Sequence, residues 1–71
     1  MIRVIGLSDE VFNNIIANYY DLVIWHDVNM NAIEFDRTCE IYMNQSQVRI
    51  YCGNNEEIVF LSCDYWRIEL I

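Results

Sequence analysis

The sequence predicts an α+β fold in which one amphipathic helix packs on an antiparallel β-meander of four to six strands, within a single compact domain over residues 1–71. Three observations carry this. Residues 39–71 divide into four short β-prone runs, CEIYMN, QVRIYCG, EIVFLSC and WRIELI, separated by turn residues. Residues 8–20 repeat apolar side chains at helical spacing behind a serine. Ala32-Ile33-Glu34-Phe35-Asp36 alternates apolar and acidic residues with period two.

The meander rests on parity, because side chains alternate faces along a strand and a slip of one residue inverts every face. With Gln45-Ser46, Asn54-Asn55 and Asp64-Tyr65 as two-residue hairpin loops, Ile41 faces Ile50, Ile50 faces Val59 and Leu61 faces Ile68. One face then collects Cys39, Met43, Val48, Cys52, Leu61, Cys63, Trp66 and Leu70 as an apolar lining. The other collects Glu40, Tyr42, Arg49, Tyr51, Ile58, Phe60, Ser62, Arg67, Glu69 and Ile71, a mixed face rich in aromatics. Asparagine tolerates the left-handed backbone that a tight hairpin turn requires, which supports the turn at Asn54-Asn55. Tyr65 is bulky for such a position, so the last turn is the weak one.

In chain order, Ile2, Val4 and Ile5 form a short apolar segment ending at Gly6, compatible with an edge strand or a tethered terminus. Ser8 is an N-cap, Asp9 and Glu10 put negative charge in a first helical turn, and Val11, Phe12, Ile15, Ile16, Tyr19 and Tyr20 form the buried stripe. That stripe is expected to lie on the inner face of the meander, with Asn13, Asn14 and Asn18 outside. Leu22-Val23-Ile24-Trp25 reads as a strand in preference to further helix, and Asn29-Met30-Asn31 as a turn leading into a second hairpin arm. Ile33 and Phe35 then point one way, with Glu34 and Asp36 about 6.8 Å apart on the opposite face.

Composition narrows function by exclusion. A chain of 71 residues buries only about 60% of its unfolded surface, which leaves little room for a deep active-site cleft. No apolar run exceeds four residues, so no membrane span is expected. The start, Met1-Ile2-Arg3-Val4, lacks the features of a secretory signal, so a cytoplasmic location is expected, the host's if the protein is phage-encoded. The three cysteines read as buried thiols, although the register sets Cys39 opposite Cys52 and makes a disulfide geometrically feasible there. Eleven acids against four arginines, with no lysine, give a formal charge of −7. Such a surface repels nucleic acid and anionic membrane, and favours a basic protein partner.

The equipment for chemistry is missing from the sequence. His26 beside Asp27 is the only imidazole–carboxylate pairing, and no serine, threonine or cysteine stands in a nucleophile motif. The cysteines lack zinc spacing, the acids lack a calcium-loop rhythm, and two glycines cannot build a phosphate loop. No catalytic residue, metal or cofactor is therefore assigned, and the protein is expected not to be an enzyme. The first functional reading is a small acidic inhibitor that occupies a basic surface of a larger protein, such as a nucleic-acid-binding protein. Its candidate contacts are Asp9, Glu10, Asp21, Asp27, Glu34, Asp36, Glu56 and Glu57. In size, acidity and lack of a catalytic motif the chain resembles small phage proteins that blunt host defences, including anti-CRISPR proteins and DNA mimics; the resemblance is one of composition and carries no residues over. The alternative is a structural or self-association module that forms a homodimer or subunit contact through the aromatic outer face, with Tyr42, Tyr51 and Phe60 as anchors.

Overall fold

A computed structural model describes residues 1–71 and shows an α+β domain with one α-helix and two antiparallel sheets sharing a core. The strands are β1 (Ile2–Ile5), β2 (Val23–Asp27), β3 (Ala32–Phe35), β4 (Glu40–Met43), β5 (Gln47–Tyr51), β6 (Glu57–Leu61) and β7 (Arg67–Leu70). One sheet has the order β2-β3-β1-β7 and the other β4-β5-β6. The expected single meander is thus divided, and its last strand belongs to the other sheet.

The helix α1 spans Asp9–Asn18. The Ser8 hydroxyl accepts from the Val11 N–H at 3.3 Å, satisfying one of the donors a helix start leaves free. Phe12 and Ile15 are buried, with Val11, Ile16 and Tyr19 packed against the same core. The helix stops at Asn18, earlier than its apolar periodicity suggests. Tyr20–Leu22 form a separate 3-10 turn that delivers the chain into β2. The strand reading of residues 22–25 therefore holds from Val23 on, with a bulge between Val23 and Trp25. In the β2–β3 turn, Asn31 takes a left-handed φ of 46°, and the Asp27 carboxylate accepts from the Asn29 N–H at 2.8 Å.

β1 is an interior strand. It pairs with β3 on one side and β7 on the other, and Met1 and Ile71 exchange backbone hydrogen bonds. Gly6, at φ 81°, lets the chain pass Trp66 so closely that a Cβ there would collide with that of Trp66.

The two hairpins of the three-stranded sheet test the parity argument separately. Between β4 and β5 the register is as expected, with Ile41 opposite Ile50 and Met43 opposite Val48, because the Asn44 carboxamide oxygen accepts from the N–H groups of Ser46 and Gln47 and holds a two-residue loop. Between β5 and β6 the loop has one residue more. The Cys52 N–H donates to the Glu56 carbonyl, and the intervening Gly53-Asn54-Asn55 turn has Asn55 at φ 69°. This pairs Ile50 with Ile58 rather than Val59 and turns β6 over. Ile58 and Phe60 enter the core, while Val59 and Leu61 face outward at 47% and 55% exposed.

The pairing of Leu61 with Ile68 also fails. A 3-10 turn at Ser62–Asp64, with the Leu61 N–H donating to the Asp64 carboxylate, redirects the chain so that Ile68 pairs with Val4. Cys63, Trp66 and Leu70, expected inside, are exposed, as is Met43. Cys39 and Cys52 are buried as expected but joined as a disulfide, one rung beyond the Glu40–Tyr51 pair. The core is drawn from both sheets and the helix, with Val4, Ile33, Phe35, Val48 and Ile50 fully enclosed. No helix is long and apolar enough to cross a membrane.

Candidate binding surface

The two sheets present outer faces of different chemistry. On the four-stranded sheet, alternation brings Arg3 of β1 between Glu34 of β3 and Glu69 of β7. Its guanidinium lies 3.0 Å from the Glu34 carboxylate, 3.9 Å from that of Glu69 and 4.6 Å from the ring centroid of Trp25. Arg67 adds an ion pair to Glu69 at 3.2 Å and sits over the ring of Trp66. Charges on this face are spent on one another.

On the three-stranded sheet the outward rungs read Glu40–Tyr51–Glu57, Tyr42–Arg49–Val59 and Gln47–Leu61. Tyr42 and Tyr51 are exposed and meet edge to face, with ring centroids 5.3 Å apart. The Tyr42 hydroxyl donates to the Glu40 carboxylate at 3.1 Å, and this bond with the adjacent negative charge raises the phenol above its ordinary value. Arg49 donates to the Gln47 side chain and to the Tyr51 hydroxyl, and the latter bond raises its already high value further. The face is a two-tyrosine centre with one arginine, two outward aliphatic side chains and carboxylates at its ends. A shallow open depression lined by Tyr42, Met43, Asn44, Arg49 and Tyr51 runs to its β4 side.

The structure separates the carboxylates that the sequence groups together. Asp9 accepts from the Asn31 side chain at 2.6 Å, joining the helix start to the β2–β3 turn. Asp27 serves its own turn. Glu34 is half-buried against Arg3 and does not stand in solvent. Asp36 lies beyond the end of β3 and accepts from the Thr38 N–H at 2.9 Å, which holds its carboxyl below the usual range. The expected pair of free carboxylates at Glu34 and Asp36 is therefore corrected: Asp36 lies past the strand, and each has an internal partner. Glu10, Asp21, Glu56 and Glu57 are exposed with no side-chain hydrogen bond or ion pair. Of these, Glu57 stands opposite Tyr51, and Glu56 precedes it in the chain.

Phe60 is corrected as well. It is 5% exposed and packs edge to face on Tyr65 within the core, so it is no part of the outer face. Sequence reasoning missed Val59 and Leu61 as outward residues, since all four residues from Ile58 to Leu61 are apolar and carry no signal of parity. It also missed Arg3. An arginine inside the apolar run Ile2 to Ile5 does mark a strand face with a charged partner. His26 lies 6.3 Å from Phe12, ring to ring, and no group of three or more His, Cys, Asp or Glu side chains converges. Comparison with protein-family models, characterised proteins and solved structures finds no match to this chain.

Proposed function

We propose that this protein is a small binding protein that occupies a basic surface of a larger protein, using the outer face of its three-stranded sheet as the contact. The observation that carries this reading is the exposed Tyr42–Tyr51 pair bracketed by Glu40 and Glu57, on a chain of net charge −7. Tyrosines supply rigid contact area at low entropic cost, and carboxylates at the margin steer a cationic partner into place. Inhibition follows if that basic surface is one the partner needs for nucleic acid. This is the mode of a phage anti-defence protein of DNA-mimic or anti-CRISPR type, in which acidic side chains take phosphate positions. Of the candidate carboxylates, Glu57 and its neighbour Glu56 serve that role here, since Glu34 and Asp36 have internal partners.

The test uses a partner identified by affinity capture. Reversing Glu56 and Glu57 together to lysine should weaken the purified complex by about tenfold or more and flatten its salt dependence. Reversing Asp9 and Asp21 should change it little. If the Glu56/Glu57 reversal leaves affinity unchanged, the reading fails.

Self-association through the same face is the second reading, favoured by the outward Val59 and Leu61. Salt separates the two. Copies carrying −7 each associate more tightly as salt screens their repulsion, whereas a basic partner is released.

A further inference from the structure

The margins of the two sheets are protected unequally. The β2 margin is broken by the bulge at Ile24. The β6 strand runs beside α1, where Ile58 and Val59 share a groove with Val11, Ile15 and Tyr19. β7 carries the Arg67–Glu69 pair. β4 has no bulge, covering groove or ion pair, and Glu40 is its one charge. Asn44 and Gln47 form a hydrogen-bonded rung, so by alternation Tyr42–Arg49 and Glu40–Tyr51 are the next ones. The N–H and C=O groups of Ile41 and Met43 therefore project away from β5, and no turn or loop hydrogen bond engages them. Met43 on this margin is 62% exposed.

We infer that the β4 margin receives an extended segment of the basic partner as an added antiparallel strand, in which basic residues alternate with apolar ones. The inference rests on the basic-partner reading above and names the form in which the partner is recognised. The open backbone groups of Ile41 and Met43 supply the ladder bonds. Partner residues opposite Ile41 and Met43 lie on the core side, where an apolar side chain covers Met43. Partner residues opposite Glu40 and Tyr42 lie on the outer side, where a cation meets the Glu40 carboxylate and the Tyr42 ring, beside the depression lined by Tyr42, Met43 and Tyr51. Charge favours this occupant over a second copy of the chain. Self-pairing centred on Tyr42 would set Ile41 against Met43 of the other copy, but it would join two bodies of −7.

The probe is a short peptide in which arginine and valine alternate, compared with one of the same composition with its arginines in a block. The alternating peptide is expected to shift the Ile41 and Met43 amide resonances and to bind about tenfold more tightly than the block peptide. In an antiparallel strand the valines carry the N–H groups that face β4, so N-methylation at the valines should abolish binding and N-methylation at the arginines should not. Met43→Pro removes an outward donor at a sheet margin and should weaken binding about tenfold. The peptide methylation arm decides the matter even if that variant folds poorly. Equal binding of the block peptide, or indifference to valine methylation, overturns the proposal. So does a dimer in sedimentation that Met43→Pro dissolves, which would assign the margin to a second copy. With an identified partner, sensitivity to Glu56/Glu57 reversal but not to Met43→Pro sinks the added strand and leaves the basic-surface reading standing; insensitivity to both sinks both.

Discussion

The outer face of the four-stranded sheet pairs its charges internally, although the buried Nε of Arg3 has no hydrogen-bond partner, and that of the three-stranded sheet does not pair its carboxylates with its arginine. On the first, Arg3 and Arg67 are clasped by Glu34 and Glu69 and shielded by Trp25 and Trp66. On the second, two tyrosines, Val59 and Leu61 meet water, with a single arginine held by neutral groups. The two faces have similar backbones, so the difference lies in how charge is distributed. Where both signs alternate across adjacent strands they neutralise one another, and where only carboxylates flank an aromatic centre the face keeps its field. Net charge alone therefore does not locate the proposed contact; the exposed carboxylate of Glu57 beside the tyrosine pair is what that proposal rests on.

The largest effect should come from the core that both faces share. Phe35→Ala should cost about 3–5 kcal/mol in chemical denaturation, and both sheets should be lost in one transition because that core joins them. Separate transitions for the two sheets would break the comparison, since each would then be a unit of its own. Gly6→Ala should follow at about 1–3 kcal/mol, for it forces a left-handed backbone on alanine and drives a methyl into Trp66.

Leu61→Ala sharpens the contrast from the other side. An outward residue on the open face should change stability by about 0.5 kcal/mol or less, whereas the register first expected would make it a core truncation costing several times more. The smallest effect concerns Asp36. Its carboxyl value is lowered in the fold by the Thr38 N–H and hydroxyl, so it contributes stability that is present above its unfolded value and lost as pH falls through its folded one. Asp36→Asn should remove a shallow part of the stability loss seen in acid denaturation below about pH 4, with little change at neutral pH.

Much of this structure follows from the sequence alone. Ser8 and the stripe from Val11 to Tyr19 determine a capped amphipathic helix, Asn29–Asn31 determine a turn, and Asn44 determines the β4–β5 register, because each acts through neighbours close in the chain. The acidity is likewise a property of composition. Tertiary structure decided what local chemistry left degenerate. Ile58 and Val59 are equally apolar and β-branched, so only the extra residue in the Gly53–Asn55 turn chose which enters the core, and with it the fate of Phe60 and Leu61. The last strand is equally able to pair with β6 or β1. The turn at Ser62–Asp64 directs it to β1, where Arg3 finds Glu69 across the new pairing. The first outcome turns on the length of a local loop, which Gly53 and two adjacent asparagines permit in more than one form, and the second on pairing with a strand at the other end of the chain; the periodicity of a single strand contains neither.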